Sequence, residues 1–282
     1  MATATLLIHC PDQPGLVNTV TGFILYHGGN ILHLDQHVDR GANVFFMRVE
    51  WALEGFALNG DAIRNAFAPI AKERQMAWNV HLSEKRRRVA LFVTKEGHCL
   101  YDLLSRHEAG ELPCDLPVIV SNHEHLKPAA ERFGIPFVHT PVTATTKAGI
   151  EAEHIALMKA HEIDTIVLAR YMQIITPGFI EAYPNQIINI HHSFLPAFVG
   201  AKPYHQAHER GVKLIGATSH YVTTELDQGP IIDQDVSRVS HRDSATDMVR
   251  LGKDLEKIVL SRALLAHLTN RVLVYGNRTV VF

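Results

Sequence analysis

The sequence predicts an α/β protein of two units: a small βαββαβ unit and a larger one with a mostly parallel sheet. Apolar runs of strand length alternate with amphipathic segments along the chain, and the order of these elements changes near residue 83. A length of 282 residues is sufficient for two hydrophobic cores. We therefore expect one unit over residues 1–83 and a second over 84–282.

The first unit has the element order of a ferredoxin-like fold. Residues Thr5 to His9 form an apolar strand, "PDQPG" breaks it, and "LVNTVTGFILYHGG" has helical spacing that stops at two glycines. The next strands are "NILHLDQHVD" and "VFFMRVEWAL", followed by the amphipathic helix "GDAIRNAFAPIAKERQM" and the strand "WNVHLSE". This order predicts four strands with two helices.

The second unit is predicted to be Rossmann-like. Its near-continuous apolar runs are "RVALFVT", "LPVIVSN", "IPFVHT", "DTIVLAR" and "QIINIHH", and helical segments separate them. Such runs are typical of parallel strands covered on both faces. Two further strands, "KLIGATSHYV" and "GPIIDQDVSRV", precede a long helix over Ser244 to Leu268 and two short strands. In open sheets of this class, ligands bind beyond the carboxyl ends of the strands.

The composition is that of an ordinary globular protein, with 46% hydrophobic residues, 20% charged residues and a net charge of −2. This balance gives no indication of a nucleic-acid partner. No segment has the apolar length of a membrane span, and the start "MATATLLIHCPDQPG" lacks the basic region of a signal peptide. The three cysteines have no C-x-x-C spacing, so we expect reduced thiols and a cytoplasmic location.

The stretch "IINIHHSFLP" carries the strongest chemical signal. Asn189 and His191 are two residues apart, so on a strand their side chains point to the same face. An amide can stabilise a developing oxyanion, and a neighbouring imidazole can move a proton. The alternative is that both are strand-end residues satisfied by local hydrogen bonds.

Other chemistries receive weaker support. The chain has 19 histidines, and His205 and His208 are one helical turn apart, but no H-E-x-x-H or C-x-x-C motif accompanies them. "VTKEGHCL" has a single glycine where a phosphate-binding loop would lie. Ser193 lacks a G-x-S-x-G motif, and Asp227, taken alone, is a turn former before a glycine.

Two distant motifs together resemble the folate-dependent formyltransferase family. "NIHHSFLP" followed by "HYVTTELDQGPII" matches its signature, and the match extends over residues 87–241. "CPDQPGLVNTV" resembles the start of an ACT domain. With the C-terminal tail, the whole chain resembles the formyltetrahydrofolate deformylase family. The resemblance implies hydrolysis of 10-formyltetrahydrofolate to tetrahydrofolate and formate, within one-carbon metabolism and purine biosynthesis.

The resemblance also implies roles for individual residues. Asn189 would polarise the formyl oxygen, His191 would stabilise or protonate the tetrahedral intermediate, and Asp227 would act with His191 on water. His220 would support this set, bonded to Asp227. The folate pocket would be lined by Arg170, Tyr171 and Met172. By the same resemblance, folate is the substrate and no metal or other cofactor is required.

The loop "TKEGHCL" departs from the glycine-rich loop with which a ribonucleotide transformylase holds its phosphorylated acceptor. This departure is expected if the acceptor is water. We interpret Tyr204 and His205 as filling the vacated acceptor space. Three alternatives remain at this point: transfer to a small amine, a metal-dependent deformylase, and an ACT sensor joined to an inactive folate-binding domain.

The ACT-like unit is expected to bind an amino-acid effector. Backbone amides at a helix start can receive a carboxylate, which makes Asp12, Gly15 and Leu16 candidates, with Asn30 contacting the effector across a dimer interface. Glycine or methionine would suit a one-carbon enzyme, and the chain would be a homo-oligomer. The alternative is that the unit serves assembly alone.

Overall fold

The computed structural model describes residues 1–143, 145–197 and 203–282. They form two compact units. One comprises Met1–Arg86, Asn270–Leu273 and Val280–Phe282, and the other comprises Arg87–Thr269 and Val274–Thr279. Within the described ranges, none of the helices combines the length and the apolar character needed to cross a lipid bilayer.

The N-terminal unit has the predicted βαββαβ order. Its elements are β1 (Thr3–Pro11), α1 (Leu16–Tyr26), β2 (Asn30–Asp39), β3 (Val44–Ala52), α2 (Gly60–Glu73) and β4 (Ala77–Leu82). The four strands pair antiparallel in the order β2-β3-β1-β4. Val20 and Ile24 of α1 and Phe67 of α2 share one buried apolar cluster with Trp51 of β3. Packing of these apolar faces into the core stabilises the two helices more than the helix propensity of their residues does.

The larger unit begins with alternating strands and helices. They are β5 (Arg87–Val93), α3 (His98–Glu108), β6 (Cys114–Ser121), a 3₁₀ turn (Glu124–Leu126), α4 (Lys127–Arg132), β7 (Phe137–His139), α5 (Lys147–Ala160), β8 (Thr165–Leu168), α6 (Pro177–Ala182) and β9 (Ile187–His191). The chain continues with α7 (Pro203–Arg210), β10 (Leu214–Tyr221), β11 (Ile231–Arg238), α8 (Ala245–Leu268) and the strands β12 (Val272–Tyr275) and β13 (Arg278–Val281).

The central sheet has the order β11-β10-β9-β8-β5-β6-β7. Strands β5 to β9 are parallel, which confirms the mostly parallel sheet. β10 is antiparallel to both of its neighbours. From β5 the chain builds outward in two directions, so a topological switch point lies at the carboxyl ends of β5 and β8.

A difference in strand length opens space beside β9. β8 ends at Leu168, which pairs with Asn189, so the last residues of β9 extend beyond it. On the opposite side β10 returns antiparallel and brings His220 into register with Asn189. The end of β9 is therefore bordered by the loop after β8 on one side and by β10 on the other.

Helix α8 begins with a reciprocal capping box. The Ser244 hydroxyl accepts a hydrogen bond from the Asp247 amide at 3.2 Å, and the Asp247 carboxylate accepts one from the Ser244 amide at 3.0 Å. Two amide groups that the first helical turn leaves without partners are thereby satisfied.

We expect Ser244→Ala to destabilise the protein by about 1 kcal/mol, because the cap is lost. In a unit of this size that corresponds to a fall of about 2–4 °C in melting temperature. Ser105→Ala, at an exposed position inside α3, is the matched control and should not lower it. Equal melting temperatures for the two variants would show that the cap contributes nothing.

Candidate active site

A cavity of about 270 Å³ lies beside the end of β9. Three segments line it: residues 170–175 after β8, residues 189–192 at the end of β9, and His220 with residues 222–227 after β10. Seven predicted residues line this one cavity: Asn189, His191, Asp227, Arg170, Tyr171, Met172 and His220. Residues 222–226 were not singled out in the sequence; their only signal was their position just before Asp227.

Asp227 and His191 are in direct polar contact at the cavity. The Asp227 Oδ1 lies 3.2 Å from the His191 Nδ1, and the two side chains are 11% and 5% exposed. The other ring nitrogen of His191, Nε2, is buried and has no hydrogen-bond partner among the described residues. A carboxylate on one ring nitrogen fixes the orientation of an imidazole. The arrangement therefore leaves Nε2 available to a bound molecule.

His220 sets the orientation of the Asn189 amide. The His220 Nδ1 donates to the Tyr221 carbonyl oxygen at 2.9 Å, because a carbonyl can only accept. In the tautomer with its proton on Nδ1, the ring accepts, through Nε2, the hydrogen bond from the Asn189 Nδ2 at 3.3 Å. The remaining N–H of that amide is left for another acceptor. The expected contact from His220 to Asp227 is longer, at 3.7 Å.

The chain around Asp227 is held in a left-handed conformation, with a φ of 55°. Close by, the backbone of Gly229 packs on Tyr221, where an added Cβ would lie 1.8 Å from the carbonyl oxygen. Only glycine permits this approach. The turn that presents Asp227 therefore depends on a glycine two residues later.

Asp227 is ionised at neutral pH. Burial acts to raise the pKa of its carboxyl group, but the hydrogen bond from the His191 ring opposes burial, and that pKa is held below its ordinary value. A carboxylate held in this state can accept hydrogen bonds and can stabilise a proton taken up by the His191 ring.

The loop after β8 forms the other wall. Arg170 has a φ of 62°, in the left-handed region. The Tyr171 ring packs edge-on against Phe92 with centroids 5.3 Å apart, whereas Met172 is 56% exposed. The Met172 amide donates to the Thr94 hydroxyl at 3.0 Å, which ties this loop to the end of β5. Both peptide groups and apolar side chains therefore border the cavity.

The two residues predicted to fill the acceptor space lie in different environments. Tyr204 is buried, and its hydroxyl donates to Glu256 at 3.0 Å. Its ring lies 6.2 Å from that of His192, which borders the site cavity. His205 is exposed, and neither of the two residues lines the site cavity itself. Neighbouring residues on a helix point about 100° apart, so only Tyr204 is retained as a candidate.

The side chains of His98, Cys99 and Glu256 place their ligand atoms within 4.8 Å of one another. Burial and the Glu256 charge raise the pKa of Cys99, so its thiol is protonated. Glu256 already faces the Arg170 guanidinium at 3.4 Å and the His98 Nε2 at 2.7 Å. This donor set fits a hydrogen-bonded ion-pair cluster better than a cation site.

The N-terminal unit has a surface cavity at the start of α1. Among its lining residues are the predicted Asp12, Gly15 and Leu16, together with Asn18 and Gln36. Asn30 is exposed and does not line this cavity. Asn18 lies on the first turn of α1, close in sequence to the predicted residues. Gln36 lies on β2, and sequence spacing does not indicate that it borders this cavity.

Comparison with known proteins identifies both units. Residues 87–264 match the formyl transferase family model, and residues 4–66 match the ACT domain model. A formyltetrahydrofolate deformylase of Synechocystis sp. is 54% identical over 99% of this chain and 98% of the relative. A Bacillus subtilis protein of the same name is 48% identical over 98% of this chain and 93% of the relative.

A solved structure agrees with these relatives over the whole chain. The crystal structure of a formyltetrahydrofolate deformylase from Pseudomonas syringae pv. tomato has a TM-score of 0.97 and 52% identity, covering 100% of this chain and 95% of that one. Both family models match, and the relatives are similar in sequence over nearly the whole chain. The chain therefore belongs to the formyltetrahydrofolate deformylase family.

Proposed function

We propose that this protein hydrolyses 10-formyltetrahydrofolate to tetrahydrofolate and formate, with Asn189, His191 and Asp227 as catalytic residues. The proposal rests mainly on one observation: an oriented amide, an imidazole and an ionised carboxylate line one cavity. Membership of the deformylase family supports hydrolysis over transfer to an amine.

In the proposed reaction, the free N–H of Asn189 hydrogen-bonds to the formyl oxygen and stabilises the charge that develops there. Water attacks the formyl carbon and gives a proton to the Asp227–His191 pair. The tetrahedral intermediate then collapses: its bond from carbon to the folate N10 breaks, and N10 takes a proton from the pair. The products are tetrahydrofolate and formate, and each step uses side chains alone, without a metal or further cofactor.

The folate is proposed to bind along the loop after β8. Arg170 to Met172 offer peptide groups at the cavity wall, and the apolar neighbours of that loop suit a flat heterocycle. Arg170 has a left-handed backbone conformation, which differs from that of an extended strand. We propose that this conformation directs its peptide groups toward the ligand.

We expect Asn189→Ala to lower kcat by about 10²–10³-fold, the usual effect of removing one oxyanion donor. Asp227→Asn should lower kcat by at least about 10²-fold, because water loses its proton acceptor. Formate release is measured with 10-formyltetrahydrofolate and no added acceptor, and tetrahydrofolate binding should persist in both variants.

The matched control is Asp235→Asn. This carboxylate lies in the same unit and pairs with Arg262 at 3.0 Å on the surface, away from the cavity. It should keep wild-type turnover. Normal kcat in Asp227→Asn, or no formate from the wild type, would contradict the proposal.

The ionisation of Asp227 also predicts a pH-dependent stability. In the unfolded chain its carboxyl titrates near the ordinary pKa of 3.8, whereas in the folded protein the pKa is lower. Its contribution is therefore complete above about pH 5 and is lost as the pH falls through the folded value. The difference in melting temperature between wild type and Asp227→Asn should be largest at neutral pH and shrink below about pH 4. If the difference in melting temperature between wild type and Asp235→Asn shrank equally at low pH, the cause would be general acid unfolding instead.

We further propose that the ACT domain binds glycine or methionine at the cavity beside α1, and that the protein is a cytoplasmic homo-oligomer. The amides that begin α1 suit an amino-acid carboxylate. Asp12, Gly15 and Leu16 border that cavity with Asn18 and Gln36. The Asn30 contact is proposed to come from a partner subunit.

Titration of glycine and of methionine should change the rate of formate release from the wild type. Asn18→Ala, inside the cavity, should weaken the response several-fold, whereas Asn79→Ala, exposed on β4 outside it, should not. A wild-type enzyme that responds to neither amino acid would leave the domain with an assembly role.

A further inference from the structure

We propose that Glu256 is a positioning residue that closes the acceptor side of the site: its buried carboxylate holds Tyr204 and Arg170 in place, so that water is the only acceptor admitted. This inference rests on the proposed hydrolysis. It adds a determinant of acceptor choice that lies on α8, outside the Asn189, His191 and Asp227 set.

Glu256 lies at the switch point of the sheet. Doubly wound sheets bind ligands in the crevice where the chain reverses direction, here beyond β5 and β8. His98, at the start of α3, and Arg170, from the loop after β8, both contact the Glu256 carboxylate there. Side chains of the protein itself therefore occupy a position that a ligand usually takes.

The carboxylate is fully engaged. Glu256 is 1% exposed and accepts from the His98 Nε2 at 2.7 Å and from the Tyr204 hydroxyl at 3.0 Å, with the Arg170 Nε at 3.4 Å. Burial acts to raise the pKa of Glu256, but His98 and Arg170 outweigh it and keep the group ionised. A buried charge is tolerated only when it is paired in this way.

Helix α8 fixes the hydroxyl end of the Tyr204 ring by two contacts. The ring lies against the α8 backbone at Gly252, where an added Cβ would be 2.0 Å from the Tyr204 Cζ. Gly252 is one helical turn before Glu256, so one face of α8 supplies both the flat seat for the ring and the acceptor for its hydroxyl. Any larger residue at 252 would displace the ring.

The fixed ring extends the wall of the active site. The rings of His191 and His192 have centroids 5.2 Å apart, and those of His192 and Tyr204 are 6.2 Å apart. The wall thus runs from the proposed catalytic imidazole to α8. At the α8 end of this wall the Tyr204 hydroxyl donates to the buried Glu256 carboxylate, whose charge disfavours an anionic acceptor.

The test uses hydroxylamine as a small substitute acceptor. In the transfer reaction the carbon–N10 bond breaks, a new carbon–nitrogen bond forms, and one hydroxylamine proton ends on N10. The products are formohydroxamate and tetrahydrofolate. Formohydroxamate and formate are measured together, so their ratio reports acceptor choice independently of total turnover.

Three variants of the full-length protein test the wall: Tyr204→Ala, Tyr204→Phe and Glu256→Gln. We expect Tyr204→Ala to raise the ratio of formohydroxamate to formate by about tenfold or more, the usual effect of admitting a group of this size. Tyr204→Phe keeps the ring but loses its hydrogen bond, so a smaller rise is expected.

Glu256→Gln keeps the side-chain volume and removes the charge. It should raise the same ratio and also raise the KM for 10-formyltetrahydrofolate several-fold, because Arg170 loses its partner. Its kcat should change less than its KM, a split that general loss of structure does not produce. The matched control is Asp254→Asn, which breaks a surface pair with Lys257 on the same helix as Glu256. That variant should keep the wild-type ratio and KM.

Wild-type product ratios in both Tyr204→Phe and Glu256→Gln would overturn the inference even if Tyr204→Ala failed to fold. A wild-type KM in Glu256→Gln would overturn the link to Arg170. Absence of formate release from the wild type would instead overturn the proposed function. The two failures are therefore distinguishable in one set of assays.

Discussion

The contact between Asp227 and His191 constrains the rest of the site. A carboxylate on the Nδ1 side leaves only Nε2 to face a ligand, and the same contact keeps the carboxyl group ionised. To make it, the chain must return from β10 and turn back over β9 within a few residues. Gly229 permits that turn because its backbone packs directly on Tyr221. Backbone packing and side-chain chemistry are therefore coupled at this point.

The antiparallel edge of the sheet makes this return possible. A parallel strand after β9 would start at the opposite end of the sheet and would bring its carboxyl end up beside that of β9. Because β10 runs antiparallel, His220 lies opposite Asn189 and can hydrogen-bond to its amide. The departure from a purely parallel sheet thus places the orienting group beside the group it orients.

Sequence patterns predicted most of the fold because its strands and helices have strong apolar periodicity. They also predicted that Asn189 and His191 share a face, which depends only on the strand repeat. They could not predict the neighbours of Asp227, because a turn former gives no indication of what its side chain will meet. Helix α7 was missed because it is short and mostly polar, and without it the different orientations of Tyr204 and His205 could not be known.

Glu256 shows a further limit of sequence reasoning. It falls within the buried stripe of α8, between Leu255 and Val259, where a carboxylate contradicts the apolar pattern. That contradiction is a signal that the residue has partners, but it does not say which. The partners are His98 at the start of α3, Arg170 in the loop after β8 and Tyr204 on α7. They are far apart in the sequence, and only folding brings them together.

The chemistry of these partners explains why a charge, and not an apolar side chain, occupies this position. A leucine or methionine would also fill the space and would avoid the cost of burying a carboxylate. It would not compensate the charge of the Arg170 guanidinium. Arg170 lines the active-site cavity and has a left-handed backbone conformation. Nor would an apolar side chain bind the Tyr204 hydroxyl. One buried carboxylate therefore joins the loop after β8 to helix α7, so that, in the proposed reaction, substrate binding and the exclusion of other acceptors depend on the same group.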